Sequence, residues 1–129
     1  MTFLSRYQAN IYAIMRFVVG GLFACHGADK LFGCFSGHPM TGVPLMLAAG
    51  IIEFVGGLLI ALGLWAGPAA FIASGQMAVA YFMGHASGGF WPIVNKGELA
   101  VVYCFVFLYI ASHGSGIWSL DALIRGRRT

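Results

Sequence analysis

Charged residues are scarce in this chain. They make up 9% of its 129 residues, whereas soluble domains carry about 25%. Hydrophobic residues make up 60%, so the composition excludes an ordinary water-soluble domain and indicates a membrane protein. The apolar runs are continuous and lack the alternation of apolar and polar residues that membrane strands require, which favours helices over a membrane barrel.

Motifs for redox cofactors are missing as well. The sequence has no haem-attachment C-x-x-C-H, no redox C-x-x-C and no dinucleotide-binding glycine pattern after a strand. Its three cysteines, Cys25, Cys34 and Cys104, specify no disulfide framework. Cys34 and His38 are spaced like metal ligands, but no second compact pair completes a tetrahedral site, so no metal site is predicted. Electron transfer by this chain alone is therefore excluded.

Four apolar segments account for most of the chain. They cover roughly residues 10–32, 44–65, 68–84 and 96–112, each near the ~20 residues that cross a hydrocarbon core of ~30 Å. The sequence thus predicts an all-α membrane protein, a single domain over residues 1–129 that is a four-transmembrane-helix bundle. Because Arg16 interrupts the first segment and no small-residue cleavage pattern follows, we expect this segment to be retained and not removed as a signal peptide.

The basic residues are distributed unevenly between the two ends of this bundle. With four spans both termini lie on one side, together with Arg6, Arg125, Arg127 and Arg128. The opposite side has only Lys30 and Lys96. The positive-inside bias then predicts that the N- and C-termini are cytoplasmic. Membrane orientation therefore explains the formal charge of +3 without a nucleic-acid partner.

Several polar side chains fall within or at the ends of the apolar spans. A charge in mid-bilayer costs at least about 2.5 kcal/mol on insertion scales, so these residues should face one another. His26 and Lys30 are four residues apart and share one helix face. Counting from the helix ends predicts an outward-opening polar pocket in the outer half of the bundle. Its predicted members are Arg16, His26, Lys30, Glu53, His85 and Glu98.

Three interpretations of these polar residues stay open. In the first, His26, Glu53 and Glu98 handle protons while Arg16, Lys30 and His85 bind an anionic or carbonyl-bearing headgroup. In the second, the charges only pair internally, for instance Arg16 with Glu53 and Lys30 with Glu98, and fix the helix register. In the third, the chain is a small transporter, although the inner halves of its later helices offer little polar lining except Gln76.

Short motifs follow one another in a fixed order from Arg16 to Asp121. They are Arg16-x-x-x-Gly20, His26-Gly27-x-x-Lys30-Leu31-Phe32-Gly33, Glu53-x-x-Gly56-Gly57, Gly97-Glu98 and Gly116-x-Trp118-Ser119-Leu120-Asp121. This ordered set resembles the DoxX family of small bacterial membrane proteins.

The resemblance implies a four-helix protein of the bacterial inner membrane. DoxX-like proteins have been linked to quinol oxidase, to thiosulfate:quinone oxidoreductase and to assemblies with thiol or superoxide enzymes. The resemblance therefore implies a subunit of a redox or energy-converting membrane complex, with a quinone as the candidate cofactor and other subunits and the lipid bilayer as partners. Homo-oligomers are compatible with it. The functional candidates that the family motif carries over are Arg16, His26, Lys30, Glu53 and Glu98.

Overall fold

A computed structural model describes residues 2–127 of the chain. This part forms seven α-helices and one 3₁₀ turn and contains no strand, which confirms the predicted all-α fold. Four helices are long, and each overlaps one of the predicted apolar segments. The elements are α1 (Thr2–Ser5), α2 (Gln8–Phe32), α3 (Pro44–Leu62), α4 (Ala66–Gly84), the 3₁₀ turn (Ala86–Gly88), α5 (Pro92–Asn95), α6 (Glu98–His113) and α7 (Leu120–Arg127).

Two helix ends differ from the prediction because of left-handed backbone conformations. The helix predicted over 44–65 ends at Leu62, since Gly63 has a φ of 70° and its N–H bonds back to the Ile60 carbonyl. The helix predicted over 96–112 begins at Glu98, because Lys96 has a φ of 63° and closes the short helix α5. A residue in this conformation cannot continue a right-handed helix.

Two of the long helices meet the length and composition expected of a membrane span. These are α2 and α3, whereas α6 is apolar but shorter. All four long helices nevertheless expose large apolar side chains on their outer faces. Phe17 on α2 is 60% exposed, Phe71 on α4 is 66% exposed and Phe105 on α6 is 64% exposed. Water-soluble monomers rarely expose contiguous apolar patches larger than a few hundred Å², so this surface suits an apolar surrounding.

The core is apolar and lies between the four long helices. Helix α2 packs on α3, α3 on α4 and α4 on α6. Phe23, Ile60, Phe107 and Ile110 are completely buried, and the rings of Phe23 and Phe107 are 4.6 Å apart. This layer fills the bundle between the polar residues described below and the end that holds both chain termini.

Helices α2 and α3 approach each other backbone to backbone. A methyl group at Gly57 would lie 2.5 Å from the backbone nitrogen of Ala24, and one at Gly27 would collide with the backbone of Phe54. Small residues at such positions let two membrane helices pack closely. Gly20 lies in the same contact, since a methyl group there would lie 2.5 Å from the backbone nitrogen of Ala61. This contact fixes which residues of α3 face the C-terminal end of α2.

Candidate functional site

Lys30 and Glu53 form an ion pair between α2 and α3. The Nζ of Lys30 lies 2.9 Å from the Oε1 of Glu53. The side chain of Glu53 is 3% exposed and that of Lys30 is 24% exposed, so the ammonium reaches an interior carboxylate from the rim. The pairs named in the internal-pairing interpretation were wrong, because Glu53 pairs with Lys30 and not with Arg16.

A glycine on α3 makes room for this ion pair. A methyl group at Gly50 would lie 3.1 Å from the Cβ of Lys30, so the lysine stem runs directly over the α3 backbone. Glu53 is three residues further along α3 and therefore on the same helix face. The absence of a side chain at Gly50 thus lets Lys30 extend along α3 to the carboxylate.

Helix α4 contributes a third polar group to this pair. The Nε2 of Gln76 donates a hydrogen bond to the Oε2 of Glu53 over 3.3 Å. The Oε1 of Gln76 is buried and accepts no hydrogen bond within the described part of the chain. Lys30, Glu53 and Gln76 therefore form a network across three helices in which one buried acceptor is unused.

A cavity of about 260 Å³ opens beside the ion pair. Phe23 of α2 and Met77 of α4 supply apolar parts of its wall. Side chains from all four long helices and from the segments next to α4 and α6 complete it. The polar lining residues are His26, Lys30, Glu53, His85, Lys96 and Tyr103.

The two histidines of the cavity differ in how they are held. His26 is exposed at the rim and meets the ring of Tyr103 edge-on, with ring centroids 6.1 Å apart. His85 follows α4, and its Nδ1 lies 3.2 Å from the carbonyl oxygen of Asn95. Asn95 is buried and donates to the Tyr81 hydroxyl at 3.0 Å and to the Gly89 carbonyl at 2.9 Å. Within the described part of the chain, no hydrogen bond engages the second ring nitrogen of His85.

An apolar groove adjoins the polar cavity. It has a volume of about 330 Å³ and lies between α3 and α4. Ala80 and His85 line both the groove and the polar cavity. Its other walls are mainly apolar, among them Leu45, Met46, Val79 and Met83. Polar and apolar binding surfaces therefore meet at His85.

Arg16 lies elsewhere, at the opposite end of the bundle. It is 2% exposed, and its guanidinium donates to backbone carbonyls at the end of α3 and in the segment before α7. The Nε atom bonds to the Ile60 oxygen at 3.0 Å, and an Nη atom bonds to the Trp118 oxygen at 2.9 Å. A further Nη bond reaches the Ser115 oxygen. The structure therefore does not bring Arg16 to the cavity.

Glu98 is also outside the cavity. It is the first residue of α6, is exposed and does not line the space beside Lys30. The predicted pocket thus keeps His26, Lys30, Glu53 and His85 and loses Arg16 and Glu98. Counting along a helix estimates the depth of a residue, but depth does not determine the direction of its side chain around the helix.

Sequence reasoning missed two polar lining residues, Lys96 and Tyr103. The sequence prediction used Lys96 only for the membrane orientation. Tyr103 is buried in α6, five residues after Glu98, and its neighbours in the sequence are apolar. The signal that the sequence offered was a tyrosine, with its polar hydroxyl, in the middle of an apolar span.

A family model and a curated relative match this chain. A family model described as DoxX matches residues 11–86, a range that includes His26, Lys30 and Glu53 and ends before Glu98. A protein of Haemophilus influenzae, printed as "Uncharacterized protein", is 41% identical over 128 residues, covering 94% of this chain and 96% of the relative. No solved structure matches the chain.

Proposed function

The chain belongs to the DoxX family, and from this premise we propose that its polar cavity binds a quinone-type headgroup within a redox or energy-converting membrane complex. The observation that carries the proposal is the ion pair of Lys30 and Glu53 in the cavity wall, with two histidines and Tyr103 around the same space. Partner subunits would supply the electrons.

The proposal includes four membrane spans, with α2, α3, α4 and α6 crossing the bacterial inner membrane. The exposed apolar side chains on all four helices support it. Arg6 and Arg125 lie at the end that holds both termini, and Lys30 and Lys96 lie at the other, which supports cytoplasmic termini under the positive-inside bias. Arg128, part of the same expectation, lies outside the described residues.

The groups in the cavity suit a quinone ring. An ammonium has three donors and Glu53 takes one, so Lys30 can still donate to a quinone carbonyl. Reduction to the quinol consumes two electrons and two protons, and His26, Glu53 and His85 are groups that can pass protons. A cavity of about 260 Å³ is below the 300–1,000 Å³ typical of whole ligands. It therefore fits the ring, and the adjoining groove would take part of the tail.

Purification of matched variants in mild detergent tests this proposal. The wild-type chain should retain extractable quinone and co-purify with redox subunits. His26→Ala should lower the quinone per chain, because it removes a group at the cavity rim. His38→Ala is the matched control, since His38 is exposed in the loop between α2 and α3 and should retain the quinone. Equal loss in both variants, or no quinone in the wild type, would refute the proposal.

The alternative is an assembly subunit whose charges only pair internally. The 2.9 Å contact of Lys30 with Glu53 favours it. The buried, unused Oε1 of Gln76 favours a ligand site instead, because an unpaired buried acceptor costs about 1–3 kcal/mol. The double variant Lys30→Glu with Glu53→Lys distinguishes the two. If the swap changes neither the partner activity nor the quinone content, the pair serves assembly alone. A loss of quinone would support the quinone site instead.

A transporter is the third candidate and the weakest. It requires a polar path from the cavity to the cytoplasmic end. Phe23, Ile60, Phe107 and Ile110 are completely buried between the helices on that side, and the Arg16 guanidinium beyond them is bound to backbone carbonyls.

A further inference from the structure

We propose that a second cavity, at the cytoplasmic end of the bundle, binds the headgroup of a phosphatidylethanolamine-type lipid. It has a volume of about 390 Å³ and lies where α7 meets the turn between α3 and α4. This site is separate from the quinone cavity and depends only on the membrane-spanning part of the proposal above. Its lining residues are Leu64, Trp65, Ser115, Asp121, Ile124 and Arg125.

Two opposite charges line this cavity without pairing. Asp121 and Arg125 are four residues apart on α7, a spacing at which such side chains commonly form an ion pair. No ion pair joins them in the part of the chain that the structure describes. Arg125 is exposed, and no hydrogen bond within residues 2–127 engages its guanidinium.

Asp121 is held away from Arg125 by the rest of the fold. Its Oδ2 accepts hydrogen bonds from the Ser115 hydroxyl at 2.6 Å and from the Trp65 backbone N–H at 2.9 Å. These contacts tie α7 to the turn between α3 and α4. Within residues 2–127 no hydrogen bond reaches the Oδ1 of Asp121, so the cavity presents one acceptor held by the fold and one exposed guanidinium.

A zwitterionic phospholipid headgroup complements this arrangement. Its phosphate would take the charge-assisted hydrogen bonds of Arg125, and its primary ammonium would donate to the Oδ1 of Asp121. Trp65 is 66% exposed and offers an aromatic face to the same ammonium. Leu64 and Ile124 would meet the start of the acyl chains.

The charge pattern selects among the common bilayer lipids. Phosphatidylglycerol has the phosphate but no cation for Asp121, and it brings a net negative charge towards that carboxylate. Phosphatidylcholine has a cation, but its quaternary ammonium cannot donate a hydrogen bond. The loss of one charge-assisted hydrogen bond corresponds to about a tenfold weaker affinity. The site should therefore prefer a lipid whose headgroup carries a primary ammonium.

Native mass spectrometry of the full, delipidated chain in detergent tests the proposal with defined lipids. We expect the first bound lipid to be phosphatidylethanolamine, with about a tenfold preference over the other two lipids in equimolar mixtures. Arg125→Gln should weaken the binding of phosphatidylethanolamine and phosphatidylglycerol alike. Asp121→Asn should remove the preference between them. Arg6→Gln is the matched control, because Arg6 is an exposed arginine at the same end of the bundle, and it should bind as the wild type does.

Three results would overturn the proposal: equal binding of the three lipids by the wild type, unchanged phosphatidylethanolamine binding in Arg125→Gln, or an equal loss in Arg6→Gln. If Asp121→Asn fails to fold, Arg125→Gln alone decides the test. Arg125 is exposed, so its replacement should not prevent folding. None of these measurements involves quinone, so the two proposals can fail independently.

Discussion

The ammonium of Lys30 reaches the buried carboxylate of Glu53 from a partly exposed position. Because the two groups differ in burial, removing one charge should lower the stability of the fold more than removing the other. Lys30→Met leaves a carboxylate that is 3% exposed without its cation, and breaking a buried pair in this way costs about 3–5 kcal/mol. Glu53→Gln leaves an ammonium that can turn outward. Unfolding in detergent should therefore show the larger loss of stability for Lys30→Met.

The exposed Lys96 provides the control for that comparison. Lys96→Met also removes a lysine charge, but Lys96 is exposed, so the free energy of unfolding should change by no more than about 0.5 kcal/mol. Adding Glu53→Leu to Lys30→Met should recover part of the lost stability, because the unpaired carboxylate is gone. A Lys30→Met variant as stable as Lys96→Met would show that the ion pair contributes nothing to the fold.

Because α2 and α3 pack so closely, adding one methyl group at their contact should push the two helices apart. Gly57→Ala would place a Cβ 2.5 Å from the Ala24 nitrogen, and overpacking of this kind costs about 1–3 kcal/mol. The control is Gly21→Ala, because a Cβ there meets no atom within 4 Å and alanine is a better helix former by about 1 kcal/mol. Thermal unfolding should rank Gly21→Ala at or above the wild type. Equal melting of both variants would contradict the close contact.

Arg16 is predicted to hold the segment before α7 and not to bind the ligand. Arg16→Gln removes the donors to the carbonyls of Ile60 and Trp118 and should loosen residues 114–121. Hydrogen–deuterium exchange would detect this as faster exchange in that segment, with the outer ends of α2 and α3 unchanged. If quinone content fell while exchange at 114–121 stayed as in the wild type, Arg16 would belong to the binding site after all.

The proposed orientation predicts the labelling pattern of the cysteines. Cys34 is exposed in the loop between α2 and α3, whereas Cys104 lies within α6 and is partly buried. A membrane-impermeant maleimide added to spheroplasts should label Cys34 and spare Cys104. A cysteine introduced by Ser5→Cys, in α1, should react only after the membrane is opened. Labelling of Ser5→Cys in intact spheroplasts would show that the orientation is the reverse of the proposed one.

The sequence predicted the helices well because apolar runs and their glycine and proline boundaries are local properties. The polar pocket was predicted in part. His26, Lys30, Glu53 and His85 meet there, since depth along a helix can be counted from its ends. The angular position around each helix cannot be counted in this way when all faces are apolar, and for that reason Glu98 was included wrongly and Tyr103 was missed.

Arg16 illustrates a second limit of sequence reasoning. A buried arginine in an apolar span suggested a carboxylate partner. Its actual partners are backbone carbonyls at the end of α3 and near Ser115, which no residue-type pattern marks. Only the fold shows that the last turn of α3 and the segment before α7 bring those carbonyls to the guanidinium.

Photolabelling with a quinone analogue tests the central claim most directly. The purified full chain is irradiated with the photoreactive analogue, and the labelled peptides are mapped by mass spectrometry. The cavity predicts label near His26 on α2 and near Tyr103 on α6, displaced by an excess of unlabelled quinone and unaffected by Glu98→Gln. Label confined to lipid-facing residues such as Phe17 and Phe71, or label that excess quinone does not displace, would contradict a quinone site beside Lys30 and Glu53.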